Sequence, residues 1–217
     1  MQRDDGALKV NGPDDLTAAF LTALKSSTGE RKMHLFFKQH PALIYQHTVP
    51  CGGHDDYVIS EFEIGNEYKA DFVVLNSYSG GWDIAFIELE PVGAKLFNKD
   101  RTPSRELRSA IRQIDDWRRF IRQSQDYFLK QLTRAAQRSD LLHPELERGS
   151  REPISGPGWT LRDTRNTFSY SYQIVIGRRA NFSALDNELR GSYRTDHDVD
   201  IASYDRFLPS ERRWWIS

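Results

Sequence analysis

The chain has 217 residues, 38% of them hydrophobic, which is enough to bury the core of one domain, or of one domain with a small appendage. Its 30 basic and 31 acidic side chains give a formal net charge of −1, so overall charge favours neither a nucleic-acid nor a membrane partner. No apolar run could span a bilayer, no signal-peptide pattern opens the chain, and the single cysteine excludes an intramolecular disulfide, so we expect a cytoplasmic protein.

Two helices are predicted before the first strand. Residues 13–27 begin with Pro and acids and then place apolar side chains at helical spacing. A second helix is predicted from Glu30 to Pro41, because proline lacks the N–H that would continue it.

Three strands are predicted next, over residues 57–64, 68–75 and 82–90. The breaks between them are short and contain glycine, asparagine and serine. Such breaks are typical of hairpins, so the three strands are expected to form an antiparallel meander.

The strongest helical pattern follows, in SRELRSAIRQIDDWRRFIRQ, with Ser104 as its N-cap. Residues 138–168 are polar and are interpreted as a long loop or insertion. Strands are predicted at 172–179 and 198–208, with a polar helical or loop stretch between them. The order of elements indicates an α/β (mixed α+β) fold, in which a central mixed sheet is flanked by helices.

A cluster of carboxylates is predicted on the second and third strands. Glu88 and Glu90 are two positions apart and therefore share one face of their strand. If the hairpin loop is symmetric, Asp71 lies opposite Glu88 and Lys69 lies opposite Glu90. Half-buried carboxylates repel one another and lose hydration, and Mg²⁺ or Mn²⁺ would stabilise them. Ordinary ion pairs on a solvated face are the alternative, and spacing alone does not decide between the two.

Five pieces of the sequence occur in a characteristic order: FFKQHPALI, the hairpin YKADFVVL…WDIAFIELEP, the helix pattern A-x-x-Q-x-x-x-W, a strand ending in IGRR and the closing DIASYDRFL. Together they resemble the Shedu family of anti-phage defence nucleases and, more broadly, the PD-(D/E)XK nuclease core. The resemblance covers about residues 30–208 and implies a restriction-endonuclease-like domain there. Residues 1–29 would then be a leader with the first helix, and residues 209–217 a tail.

The resemblance also implies roles for individual residues. Asp71 and Glu88 match the metal-binding acids, with the Leu89 carbonyl as a further ligand. Gln113 matches a glutamine that lies against the site. Glu30 matches only loosely a helix glutamate of some nucleases of this kind.

One position departs from the nuclease motif, because Glu90 stands where the motif has lysine. Lys69, on the neighbouring strand, could supply the missing positive charge. Alternatively, Glu90 could hold a second Mg²⁺, giving a two-metal site. A third alternative is that activity has been lost.

An arginine-rich segment supplies candidate contacts to nucleic acid. Residues 101–138 contain ten Lys or Arg against four acids, although the chain as a whole is nearly neutral. The predicted contacts are Arg101, Arg105, Arg108, Arg112, Arg178 and Arg179. The same charges are also compatible with a solvated amphipathic helix.

The leading functional hypothesis follows from the resemblance. It implies a metal-dependent endodeoxyribonuclease that uses Mg²⁺ or Mn²⁺, hydrolyses DNA phosphodiester bonds in defence against phage and assembles as a homo-oligomer, with room for a phage-derived or host activator. The alternative is a catalytically silent module that binds nucleic acid or a partner protein as a sensor or regulator, since fold does not fix function. Glycoside hydrolysis by paired carboxylates is a third class, but no sugar-stacking aromatic side chains lie beside these acids in the sequence.

Two further clusters are interpreted as structural. His47, Cys51 and His54 could be imagined as a zinc site, but three mixed ligands around a glycine-containing loop are more typical of a turn. The acidic stretch 196–200 is interpreted as a solvated loop and strand edge.

Overall fold

A computed structural model describes residues 13–27, 29–48, 55–139, 159–163 and 165–208. The helices are α1 (Pro13–Ser26), α2 (Arg31–Gln39), α3 (Pro41–Thr48), α4 (Arg105–Gln123), α5 (Gln125–Arg138) and α6 (Ala184–His197). The strands are β1 (Asp56–Ile64), β2 (Tyr68–Tyr78), β3 (Gly81–Leu89), β4 (Thr167–Val175) and β5 (Asp200–Ala202). Short 3₁₀ turns span Trp159–Arg162, Arg179–Asn181 and Tyr204–Phe207.

The five strands form one mixed sheet in the order β1-β2-β3-β4-β5. The first three are antiparallel, whereas β4 runs parallel to β3 and β5 runs parallel to β4. The predicted meander and the mixed sheet flanked by helices are thus confirmed. None of the described helices is long and apolar enough to cross a membrane.

The β2–β3 hairpin has the register that a symmetric loop predicts. Tyr78 pairs with Gly81 and Phe72 with Ile87. Continuing this register one step beyond the last pair places Asp71 opposite Glu88. A one-residue slip would have put these acids on opposite faces, so the register decides where the site forms.

Each face of the sheet has its own apolar core. One core contains the buried stripe of α4 and side chains of α5, and the other contains side chains of α1, α2, α3 and the turn Tyr204–Phe207. Ser104 caps α4 by accepting a hydrogen bond from the Leu107 N–H at 3.1 Å, as predicted. Burying one large apolar side chain contributes about 1.5–3 kcal/mol, so the six buried residues of α4 fix this helix firmly on the sheet.

Several boundaries differ from the sequence prediction. Pro41 does not only follow α2 but also opens α3, because proline is well tolerated in the first turn of a helix. Helix α5 was not predicted, and it begins directly after Ser124, which ends α4. Strand β4 begins at Thr167, five residues earlier than predicted, because its first half is partly exposed and carries polar side chains. Strand β5 is only three residues long, since the turn Tyr204–Phe207 takes up the rest of the predicted strand.

The predicted loop at 138–168 lies mostly outside the described residues. Its described parts are the end of α5, the turn Trp159–Arg162 and the start of β4. The leader before residue 13 and the tail from residue 209 also lie outside them.

Candidate metal site

Asp71, Glu88 and Gln113 form the centre of the candidate site, at the open end of the β2–β3 hairpin. Asp71 Oδ2 accepts a hydrogen bond from the Leu89 backbone N–H at 2.8 Å. Glu88 Oε1 accepts a hydrogen bond from Gln113 Nε2 at 2.8 Å. The same amide nitrogen donates to the Lys69 carbonyl at 3.2 Å, so α4 contacts both β2 and β3 here. The structure therefore brings these three predicted side chains together.

Glu90 follows the last residue of β3, and its backbone is held on two sides. Its N–H donates to the Val175 carbonyl of β4 at 2.8 Å. Its carbonyl accepts a hydrogen bond from the Tyr204 hydroxyl at 2.8 Å, and Tyr204 is fully buried. The half-buried side chain of Glu90 is therefore fixed next to the other acids by its backbone.

We call Glu30, Asp71, Glu88 and Glu90 the acid cluster, and its members raise one another's pKa values. Burial, followed by the charges of Asp71 and Glu90, raises the pKa of Glu88 to about 9. Burial and the charges of Glu30, Glu106 and Asp71 raise the pKa of Glu90 to about 8. Burial also raises the pKa of Asp71. A nearby cation would oppose all of these shifts, because it stabilises the charged carboxylates.

Two buried polar atoms near Asp71 have no hydrogen-bond partner among the described residues. They are Glu88 Oε2 and His34 Nε2. Glu88 as a residue is 9% exposed, so water does not readily replace the missing partner. An unpaired buried acceptor costs about 1–3 kcal/mol, and more if it is charged, so a bound cation would remove a substantial penalty at Glu88.

A hard divalent cation fits this set of donor atoms. Carboxylate and carbonyl oxygens are the ligands that Mg²⁺ and Mn²⁺ prefer. The N–H and C=O of a strand residue point to the same neighbouring strand, and the Leu89 N–H points to Asp71. The Leu89 carbonyl is therefore directed to the same side of β3, where a ligand role for it is chemically reasonable.

The side chains are not yet arranged as a complete set of ligands. Within the described ranges, no three His, Cys, Asp or Glu side chains are positioned to hold a metal ion. Binding of an ion by Asp71 and Glu88 would therefore require rotation of their side chains.

Lys69 does not reach Glu90 in this structure. Its Nζ donates to Glu61 Oε1 at 2.8 Å, and Lys38 Nζ donates to Glu61 Oε2 at 3.1 Å. Glu61 has a left-handed backbone with φ of 56° and interrupts the β1–β2 pairing opposite Asp71. Lys69, the predicted substitute for the motif lysine, is therefore engaged by an acid of β1.

An open groove of about 690 Å³ lies beside the acid cluster. Its basic lining consists of Lys69, Arg105, Arg108 and Arg112. Gln113 also lines the groove and donates to Glu88, so it connects the groove to the candidate site, although none of the four acids of the cluster lines the groove itself. Three of the arginines predicted to contact nucleic acid thus lie on one surface.

The other predicted arginines lie elsewhere. Arg101 is exposed in the turn before α4 and has φ of 67°. Arg178 is bound to Asp205, with its Nη2 donating at 2.8 Å, and the Arg179 backbone N–H donates to the same carboxylate. Arg178 therefore serves the packing of the last turn against the end of β4, whereas the Arg179 side chain is exposed.

The two clusters interpreted as structural have protein partners where they are described. His47 lies at the end of α3 and packs edge-on against Phe207. Cys51 and His54 lie outside the described residues. Asp200 lies on the strand edge as predicted, but it is not simply solvated, because it pairs with Arg206 and accepts a hydrogen bond from Gln173.

Sequence reasoning missed His34 as a member of the site. His34 lies four residues after Glu30, and this spacing places both side chains on the same side of a helix. Together with the loose match of Glu30 to a helix glutamate of some nucleases, this spacing could have indicated that α2 places a row of polar side chains next to the acids. The side chains Met33, Phe36 and Phe37 are buried beneath it and orient the helix.

Comparison with known proteins identifies one family. A family model described as Shedu protein SduA, C-terminal, matches residues 27–208, which is most of the chain. A search of curated proteins finds no match.

Proposed function

Because the chain belongs to the Shedu family, which associates it with defence against phage, we propose that it is a metal-dependent endonuclease that hydrolyses DNA phosphodiester bonds. The observation that supports this proposal best is the acid cluster at the end of the β2–β3 hairpin. It combines Asp71, bound to the Leu89 N–H, with Glu88, whose Oε2 is buried and unpaired within the described chain.

Asp71, Glu88 and the Leu89 carbonyl would hold Mg²⁺ or Mn²⁺. Such an ion supplies a nucleophile by lowering the pKa of a bound water, and it polarises a phosphoryl oxygen. Glu90, whose pKa is raised by burial and by neighbouring acids, would hold a second ion or accept a proton from the attacking water. A bound ion would oppose the raised pKa of Glu90, which is about 8 in the absence of metal, and so would favour the ionised form that accepts a proton.

Gln113 would act by positioning Glu88. Its amide N–H group fixes one carboxylate oxygen, which leaves Oε2 as the free ligand atom. The same hydrogen bond favours the ionised form of Glu88 and so opposes its raised pKa. Gln113 thereby assists metal binding without contacting the reacting phosphate.

The groove of α4 would hold the DNA backbone. Arg105, Arg108 and Arg112 provide three positive charges along its wall, where Lys69, paired with Glu61, adds a fourth and Glu67 and Asp116 add two negative ones. Phosphate contacts by such basic side chains are independent of base sequence. Because Gln113 connects the groove to Glu88, a strand bound there would pass next to the acids.

A catalytically silent DNA-binding module is the second candidate function. The observation that favours it is the position of Lys69, which is paired with Glu61 at 2.8 Å instead of lying next to Glu90. A site that has neither the motif lysine nor a substitute would bind DNA without cleaving it.

The test is cleavage of supercoiled plasmid and linear DNA with Mg²⁺, Mn²⁺ or EDTA. We expect nicking that EDTA abolishes and that Glu88→Gln reduces by at least about 100-fold, since a ligand to the ion is lost. Glu188→Gln is the matched control, because Glu188 is exposed on α6. DNA binding without cleavage in every metal would replace the proposal by the silent module.

A further inference from the structure

A nearly buried histidine without a hydrogen-bond partner at Nε2 lies beside the acid cluster. The side chain of His34 is 12% exposed, and its Nε2 atom is buried and makes no hydrogen bond within the described residues. Buried polar atoms are normally paired, and an unpaired one costs about 1–3 kcal/mol. The position of this atom therefore needs a physical explanation.

Packing fixes where the ring of His34 points. The ring lies against Phe72, with a centroid separation of 4.9 Å. The His34 backbone N–H donates to the Glu30 carbonyl at 2.9 Å, which sets the first turn of α2. As a result, Nε2 lies 3.8 Å from Asp71 Oδ1.

A distance of 3.8 Å is too long for a hydrogen bond but short enough for a shared ion. Two atoms that bind one ion at about 2.1 Å each can be up to about 4.2 Å apart. An imidazole nitrogen without a proton presents a lone pair, which is what a metal ion requires. Glu88 Oε2 is also buried and unpaired among the described residues, but it does not yet share a common point with His34 and Asp71, so the Glu88 side chain must rotate towards that pair to complete the set.

We propose that His34 Nε2 is a nitrogen ligand of the metal ion that Asp71 and Glu88 hold, an inference that rests on the metal site of the proposed function. Nitrogen ligation changes the preferred ion. Mg²⁺ is best served by oxygen ligands alone, whereas imidazole favours divalent transition metals. The site therefore selects Mn²⁺ or a similar first-row ion over Mg²⁺.

The experiment detects the nitrogen ligand directly in the full chain loaded with Mn²⁺. Electron spin-echo envelope modulation of the bound Mn²⁺ reports ¹⁴N hyperfine coupling from a coordinated imidazole. We expect this coupling in the wild type, its replacement by the ¹⁵N pattern when histidine is ¹⁵N-labelled, and its loss in His34→Gln. The isotope experiment needs no variant, so a folding defect in His34→Gln would not obscure the result.

Calorimetric titrations provide a second readout. His34→Gln is expected to lower Mn²⁺ affinity by about 10-fold or more and Mg²⁺ affinity by less than about 3-fold. The matched control is His40→Gln, because His40 lies at the end of the same helix and packs on Phe36, away from the acids. This control should keep both the coupling and the affinities.

The outcomes separate this inference from the proposed function. Mn²⁺ binding that Glu88→Gln weakens, but without ¹⁴N coupling, would overturn the role of His34 and leave the oxygen site standing. Coupling that persists in His34→Gln would assign the nitrogen to another residue and also overturn it. No Mn²⁺ binding by the wild type would remove the metal site and the inference with it.

Discussion

Gln113 Nε2 donates a hydrogen bond to Glu88 Oε1 at 2.8 Å and so connects helix α4 to the most buried acid of the cluster. The same helix contributes three arginines to the basic groove. One helix, fixed by its buried stripe, therefore sets both the position of the proposed DNA backbone and the orientation of a proposed metal ligand. Because these two functions share α4, small changes at Gln113 should affect metal binding more than folding.

Gln113→Ala is expected to weaken metal binding by about 10-fold. The substitution removes the hydrogen bond that favours ionised Glu88, so the pKa of this acid rises further and more protons compete with the ion. The free energy of unfolding should fall by only about 1 kcal/mol, because the lost hydrogen bond is partly exposed. Calorimetric titration with Mn²⁺ and thermal unfolding measure the two effects.

Gln131→Ala is the control for this prediction. Gln131 accepts from the Gly65 N–H at 2.9 Å and donates to the Gly65 carbonyl, so it makes comparable hydrogen bonds outside the acid cluster. It should lower stability without changing metal affinity. Equal losses of affinity in both variants would show that Gln113 acts through general stability alone.

Stability without metal is expected to fall as the pH rises from about 5 to 9. Glu88 and Glu90 have pKa values of about 9 and 8 in the folded chain, against an ordinary value of 4.5 when unfolded. In this window the folded state binds protons that the unfolded state releases, so each pH increase favours unfolding. The stabilisation that these two raised pKa values contribute is complete below pH 4.5 and is lost as the pH passes through the pKa values of the folded chain.

Divalent cations should remove most of that pH dependence. They bind the deprotonated carboxylates, so Mg²⁺ or Mn²⁺ should raise Tm most at the alkaline end of the range. Glu88→Gln replaces the acid by a neutral side chain of the same size, and we expect a higher Tm than wild type at pH 9 in EDTA. Melting curves from pH 5 to 9 test this. If the slope of Tm against pH is the same in Glu88→Gln as in the wild type, Glu88 titrates normally.

The hairpin and its acids could be predicted because short-range rules determine them. The length of the hairpin loop sets the register of β2 and β3, and the two-residue spacing of Glu88 and Glu90 puts both on one face of β3. The position of Asp71 opposite Glu88 can therefore be derived from the sequence alone. The stripe of α4 was equally predictable, since six apolar side chains recur at helical spacing and all are buried.

The remaining parts of the site depend on contacts between distant segments. His34 approaches Asp71 only because α2 packs on the face of the sheet that carries Phe72. The pairing of Lys69 with Glu61 depends on the left-handed backbone at Glu61, which non-glycine residues seldom adopt within a strand. The left-handed backbone at Glu61 leaves no local signal in the sequence, and the four-residue spacing of Glu30 and His34 shows only that they share one side of a helix.

Arg112→Ala should weaken DNA binding and lower its salt dependence. If Arg112 neutralises one phosphate in the groove, its loss should reduce the slope of log affinity against log salt by about 0.9 for duplex DNA. Arg134→Ala is the control, because Arg134 is exposed on α5 and does not line the groove. Fluorescence anisotropy over a range of salt concentrations gives both slopes, and equal slopes would place the DNA elsewhere.

Glu61→Gln is expected to strengthen DNA binding by about 3- to 10-fold at low salt. Glu61 accepts hydrogen bonds from Lys69 and Lys38, and these two cations hold its pKa at about 2. Removing the acid frees Lys69, which lines the groove, and Lys38 to contact phosphates, and the salt slope should become steeper. The Tm should change little, because the three side chains are between 43% and 52% exposed and exposed ion pairs contribute little to stability.

The Glu61 variant also decides whether Lys69 can replace the motif lysine. If Lys69 assists cleavage once Glu61 no longer binds it, Glu61→Gln should increase the nicking rate, and the double variant with Lys69→Ala should lose that gain. Glu188→Gln, which removes an equal charge on α6, is the control for general electrostatics. Stronger binding without faster nicking would limit Lys69 to DNA contact, whereas unchanged binding would exclude both lysines from the DNA surface.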